Sequence, residues 1–180
     1  MVNITAIRNI ADINEKHIRD SLIISKIDFL NDLLEKGVNV LDVGTGAGFP
    51  GLPLAIKYTK SDFLLIDGTG KKIDAVKEFI NVLKLKNVRA IWDRTEVLEK
   101  NKSVGKFDLV TARSVSYLPE LLEICKPFVK SRGYIVLYKS FIEQEISKGL
   151  QKAELLNLNL IDQHIYEIAG DKRIILTFQN

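Results

Sequence analysis

Four glycines, Gly44, Gly46, Gly48 and Gly51, follow the apolar run Val38 to Val43. One acid, Asp42, lies just ahead of them, and a second, Asp67, ends the next apolar run, DFLLID. Glycines at a strand-to-helix turn let the backbone bend tightly and approach a ligand with no Cβ in the way. An acid closing the following strand, roughly twenty residues on, is placed to accept hydrogen bonds from ribose hydroxyls. Together they point to an adenosine-containing cofactor. By letter, Gly46-x-Gly48-x-x-Gly51 satisfies the dinucleotide pattern, whereas the Gly-Lys-Ser/Thr of a triphosphate-binding loop is missing.

Two residues argue against a pyrophosphate. A carboxylate at Asp42 would repel it but attract a cation or an ammonium group. Pro50 removes a backbone N–H from the start of the next helix, where a phosphate would seek donors. S-adenosylmethionine has no phosphate, carries a sulfonium and an amino group, and keeps a ribose for Asp67. The D-x-G-x-G-x-G run from Asp42 to Gly48 is how many methyltransferases build that site. The residues favour this cofactor, while a dinucleotide and a merely structural glycine turn stay open.

The elements that would hold these residues follow from periodicity. Ile23, Ile27, Leu30 and Leu34 recur at helical spacing and predict one helix over 12–36, stopped by Gly37. Strands are expected over 38–43, 62–67, 87–92, 107–111 and 133–138, with helices resuming near Gly51 and over 70–84, 117–130 and 141–154. In the 117–130 helix, Leu118, Leu121, Leu122 and Cys125 should face inward, and Trp92 and Phe107 should be core. Two strand-like runs, 158–168 and 173–178, flank Ala169-Gly170-Asp171-Lys172 and predict an antiparallel hairpin. The expected fold is therefore α/β: a class I, Rossmann-like methyltransferase sheet of seven strands, mostly parallel, ending in an antiparallel hairpin. The chain is expected to form a single domain over 1–180, with a helical segment 1–36 packed on a core 37–180.

Composition narrows the function. With 46% hydrophobic and 27% charged residues, the chain has the profile of a soluble globular protein. A single cysteine and two histidines argue against a His/Cys zinc site, and no metal is expected. The N-terminus lacks the basic start and apolar core of a signal peptide, and no run is long enough to cross a bilayer. A cytoplasmic protein without a membrane partner is the expectation. The net charge of +3 permits an RNA partner without demanding one.

Several motifs resemble one family, the bacterial 16S ribosomal RNA guanine-N7 methyltransferases, also called glucose-inhibited division protein B. Asn3 to Arg8 is similar to its N-L-T-x-x-R, and His17 to Leu22 to its H-x-x-D-S-L. DVGTGAGFPGLP, Asp42 to Pro53, is close to the family signature, and the G-F-P-G-x-P continuation is the specific part. Asp67 to Lys72, Arg94-Thr95-Glu96, Ala112-Arg113-Ser114 and Lys139 resemble its later motifs. Gly68 stands where the family usually has serine, Ser140 where glycine is usual, and only Met1 and Val2 precede the first motif, where family members carry additional helical sequence.

The resemblance implies transfer of a methyl group from S-adenosylmethionine to a guanine N7 in 16S rRNA of the small ribosomal subunit, by a monomer. A small-molecule or protein methyltransferase of the same fold is the alternative. It implies cofactor contacts from Gly44, Gly46, Gly48, Phe49, Asp67, Gly68, Thr69, Thr95, Glu96 and Arg113. RNA contacts would come from Arg8, Lys16, His17, Arg19, Lys71, Lys72 and Lys139, with Arg113 and Lys139 also able to touch the acceptor. No catalytic base is expected, because guanine N7 offers a free lone pair and has no proton to lose. His17 is assigned to packing or RNA contact.

Overall fold

The computed structural model describes residues 13–101 and 104–180, so Arg8 and the Asn3 to Arg8 motif lie outside the described residues. After a helical N-terminal segment, helices and strands alternate. They are α1 (Asp28–Lys36), β1 (Asn39–Val43), α2 (Gly51–Lys57), β2 (Asp62–Asp67), α3 (Gly70–Val82), β3 (Val88–Trp92) and α4 (Thr95–Asn101). Then come β4 (Phe107–Arg113), α5 (Leu118–Cys125), β5 (Val129–Ser140), α6 (Glu143–Leu155), β6 (Asn159–Ile168) and β7 (Asp171–Gln179). The seven strands form one sheet in the order β3-β2-β1-β4-β5-β7-β6. Only β7 runs against its neighbours β5 and β6.

Burial of both faces explains why the central strands are mostly apolar. Val40, Phe63, Leu65, Val136, Tyr138 and Ile175 pack on one face with residues of the N-terminal segment and α1 to α3, among them Ile24, Leu30, Leu54 and Ile73. Leu41, Leu64, Ile66, Ile135, Leu137, Ile174 and Leu176 pack on the other with Leu98, Leu121, Leu122 and Ile146 of α4 to α6. A sheet covered on both sides leaves few polar residues on its middle strands, and Asp42, Thr111 and Thr177 are the buried exceptions. Leu118, Leu121, Leu122 and Cys125 are all fully buried, as their spacing predicts.

The N-terminal helix departs from expectation. It is a π-helical stretch, Asn14–Arg19, then an α turn, Asp20–Leu22, then a 3-10 turn, Ile23–Lys26. Ile27 is extended at φ −100° and ψ 99°, and α1 starts afresh behind it. Ser25 hydrogen-bonds back to the Leu22 carbonyl, a local bond that competes with continued helix. Ile23, Ile24 and Ile27 are all buried across the break.

Smaller differences follow the same logic of packing. The helix expected over 117–130 ends at Cys125, with a 3-10 turn at Lys126–Phe128, and Val129 already pairs with Phe107. Helix α4, unread in the sequence, buries Leu98. The hairpin turn is tighter than four residues, because Ile168 pairs with Asp171 around Ala169 and Gly170, at φ 50° and 81°. Phe107 is buried as expected, but Trp92 is 65% exposed. Its indole lies over Gly70 at the start of α3 and donates to the Gly68 carbonyl at 3.2 Å, so a polar tie holds it at the rim of the core.

Candidate functional site

Strand order reverses between β1 and β4, and in open α/β sheets the ligand crevice forms beyond the carboxyl ends of the strands at such a point. The loop leaving β1 there places Gly44, Gly46 and Gly48 at φ 65°, 59° and 95°, a region that side-chain-bearing residues rarely occupy. A Cβ on Gly46 would meet only the Gly44 carbonyl, at 4.0 Å, so this glycine opens onto free space. One on Gly44 would strike Val115 at 2.6 Å, and one on Gly48 would strike Leu52 at 2.4 Å.

Asp67 staples this loop. Its Oδ2 accepts the Gly46 N–H at 2.9 Å and its Oδ1 accepts the Thr69 N–H at 2.8 Å. The carboxylate at the end of β2 thus fixes both the β1 loop and the start of α3. Each oxygen keeps a second lone pair. Asp67 also lines a cavity of about 330 Å³ with Gly44, Gly68, Thr95 and Glu96. On the other side of Gly44 lies a second cavity, of about 340 Å³, lined by Gly46, Phe49, His17, Arg113 and Lys72 among others. The sequence-predicted cofactor residues therefore gather around one loop, with Gly48 buried behind it and Thr69 beside Asp67. A Cβ on Gly68 would make ordinary contact with Arg94 at 3.5 Å, so the family's serine would fit there.

Asp42 plays a different part from the one its position suggests. It is fully buried, and it accepts the Gly51 N–H and the Thr111 hydroxyl, each at 3.0 Å. It anchors α2 to β1 and β4 and does not face a ligand. Burial pushes its carboxyl up to about 6, against the opposing pull of its hydrogen bonds. Gly51 is required at this contact, since a Cβ there would lie 2.7 Å from Leu65 and 2.8 Å from the Asp42 carboxylate.

At the mouth of the second cavity, Arg113 is held from several sides. Its Nη1 donates to Asp20 Oδ2 at 2.8 Å and to the carbonyls of Lys16 and His17 at 3.3 and 3.4 Å. Its Nη2 lies 3.1 Å from His17 Nδ1. Guanidinium only donates, so this nitrogen accepts and the His17 ring is neutral there. Burial, then the Arg113 charge, lowers the His17 pKa and agrees with that tautomer. His17 stacks on Phe49 at 4.8 Å, and Arg113 lies 5.3 Å from the Phe49 ring centre.

The predicted RNA contacts divide. Lys16, Arg19 and Lys71 are exposed, Arg19 in an ion pair with Glu15. Lys72 is half-buried in the second cavity. Lys139 is held from within the fold. Its ammonium pairs with Glu145 at 2.6 Å, donates to the Ser116 carbonyl at 2.8 Å and is only 11% exposed. Glu145 in turn accepts the Leu118 N–H, so the pair secures the start of α5.

Three site residues escaped the sequence reading. Asp20 was in view within HIRDSL but carried no role, while Tyr166 and Arg173 converge on it from β6 and β7. The one available signal was a lone arginine heading the apolar run of β7.

A sheet ordered 3-2-1-4-5-7-6 with only β7 reversed, and a glycine turn at its switch point, defines the class I methyltransferase fold. Solved structures share it. TYW2 from M. jannaschii, in complex with AdoMet, matches with a TM-score of 0.69 at 21% identity, over 91% of this chain and 74% of that one. A ribosomal protein L11 methylase from Lactobacillus delbrueckii subsp. bulgaricus matches with a TM-score of 0.69 at 16% identity, over 91% and 77%.

Within that class, the chain belongs to the GidB family, rRNA small subunit methyltransferase G, whose model matches residues 1–175. A ribosomal RNA small subunit methyltransferase G from Pediococcus pentosaceus is 33% identical over 99% of this chain and 74% of its own length. One from Lachnoclostridium phytofermentans is 39% identical over 85% of this chain. The chain spans 61% of the Lachnoclostridium relative and 61% of one from Clostridium novyi.

Proposed function

We propose that this protein transfers a methyl group from S-adenosylmethionine to N7 of a guanine in 16S rRNA of the small ribosomal subunit, acting as a monomer. The observation that carries the cofactor reading is Asp67, buried at the end of β2 and bonded to the N–H groups of Gly46 and Thr69. Its spare lone pairs suit two ribose hydroxyls, and the open space over Gly46 suits a ligand lying against the backbone. Gly68, Thr69, Thr95 and Glu96 would hold the adenosine side. Gly44, Gly48, Phe49 and Arg113 would bound the methionine side. Family membership supports the RNA acceptor.

When bound, S-adenosylmethionine supplies an electrophilic methyl group on sulfur. The residues around it have only to align the acceptor and exclude water, since guanine N7 brings its own lone pair. His17 accepts a hydrogen bond from Arg113, and its place is positional; no proton moves through it. Lys16 and Lys72 line the second cavity, and with the exposed Arg19 and Lys71 they would contact phosphates, giving a salt-dependent affinity.

Incubation with labelled S-adenosylmethionine and small subunits lacking the modification, followed by mapping of the label, tests this reading. Label on a guanine N7 of 16S rRNA is the expected result. Cofactor binding with no labelled RNA would overturn the substrate. In His17→Ala, the single-turnover rate should stay within about tenfold of wild type. A drop of about a thousandfold with normal binding would restore a base to the mechanism.

A further inference from the structure

We propose that Asp20 is a positioning residue for the acceptor side of the crevice, acting through Arg113. This rests on the methyl-transfer reading above for its effect on rate, though not for its effect on structure. Asp20 is fully buried and collects donors from three other elements. Arg113 at the end of β4 reaches its Oδ2 at 2.8 Å, and Tyr166 of β6 donates to its Oδ1 at 2.6 Å. Arg173 of β7 brings its Nε to 3.5 Å from the same Oδ1. The neighbouring Ser21 carbonyl accepts the hydroxyl of Tyr138, on β5, at 2.8 Å.

So many ties exceed what is needed to seat one helical turn. An arginine side chain has several soft torsions and is ordinarily exposed. Here the Arg113 side chain is 8% exposed and that of Asp20 is 1% exposed. Held by Asp20, the guanidinium presents its other edge to His17 Nδ1 and its face to Phe49. Arg113, His17 and Phe49 form one wall of the cavity that also contains Gly44 and Gly46. The Asp20 carboxylate is bound up with Arg113, Tyr166 and Arg173, while Asp67 fixes the glycine loop from its other side. Removal of Asp20 should therefore loosen the acceptor wall and leave the adenosine side standing.

The test is a double-mutant cycle of Asp20→Asn and Arg113→Gln in the full chain, reading single-turnover methylation of small subunits at saturating cofactor and adenosine affinity by calorimetry. Each single variant should slow the step by about tenfold to a hundredfold. If Asp20 acts through Arg113, the double variant is no slower than the worse single one. Affinity for adenosine, which would meet only the Asp67 side, should stay within about threefold of wild type in Asp20→Asn. Multiplying effects, or a loss of adenosine affinity matching the loss of rate, would overturn the proposal.

A second readout needs no turnover. The chain holds two histidines, His17 and His164, so 15N NMR of the ring nitrogens has few signals to assign. His17 Nδ1 should report an unprotonated, hydrogen-bonded acceptor in wild type and lose that signature in Asp20→Asn. An unchanged His17 signal would mean that Arg113 stays in place without Asp20, and the proposal fails whether or not the RNA is methylated. Wild-type protein that methylates no RNA, with the NMR change present, would instead sink the substrate reading alone.

Discussion

Replacing Asp67 with asparagine separates the two tasks assigned to that side chain. The carboxylate accepts the Gly46 and Thr69 N–H groups at 2.9 and 2.8 Å, with the residue 9% exposed. A carboxamide has one acceptor oxygen, so one of these N–H groups would face an NH₂ group. Losing a hydrogen bond to a charged acceptor costs about 2–3 kcal/mol. For a chain of this size, at about 2–4 °C per kcal/mol, Tm should fall by roughly 4–12 °C. The ribose also loses an acceptor, and a further 2 kcal/mol would weaken S-adenosylmethionine binding by about 30-fold. Differential scanning fluorimetry and calorimetry on the same samples measure both. A fallen Tm with cofactor affinity within about threefold of wild type would refute the ribose role. An unchanged Tm would refute the assignment of Asp67 as the staple of the loop.

Four further outcomes are expected. Asp42, near 3.8 when unfolded and about 6 in the fold, binds its proton more tightly in the native state, so its contribution is lost as pH rises through 6. From pH 5 to 7 that contribution should fall by about 1.3 kcal/mol, and urea unfolding of Asp42→Asn should lack this component of the slope. Gly51→Ala should cost about 1–3 kcal/mol by forcing a Cβ against Leu65 and Asp42, measured by the same unfolding. Gly46→Ala, whose Cβ meets open space, should cost only about 1 kcal/mol from its positive φ yet weaken cofactor binding at least about tenfold. Lys139→Met should destabilise by about 3 kcal/mol through the stranded Glu145, leaving the salt dependence of small-subunit binding unchanged.

Much of this protein was legible along the chain because the information is local. Apolar runs ending in Asp42 and Asp67, glycines just past the first of them, and helical spacing between strands require only neighbouring residues. They placed the central strands, the hairpin and the glycine loop after β1. The glycines at positive φ and the acid closing β2 are the kind of signal that a turn and a strand end must leave in sequence.

Tertiary structure decided what each polar side chain does. Asp42, Lys139 and Trp92 occupy the expected elements, yet Asp42 holds a helix start, Lys139 is spent on Glu145, and Trp92 caps the rim of the core. The N-terminal helix breaks at Ile27, which is extended and buried against the sheet, although its apolar spacing continues without interruption into α1. Asp20 meets Arg113, Tyr166 and Arg173 across 93, 146 and 153 residues of chain, and no periodicity announces such a meeting. A charge's partner depends on which elements the sheet order sets side by side. The sequence of this protein therefore determined where its ligand loop forms, and only the folded packing determined which charges face that loop and which hold it up.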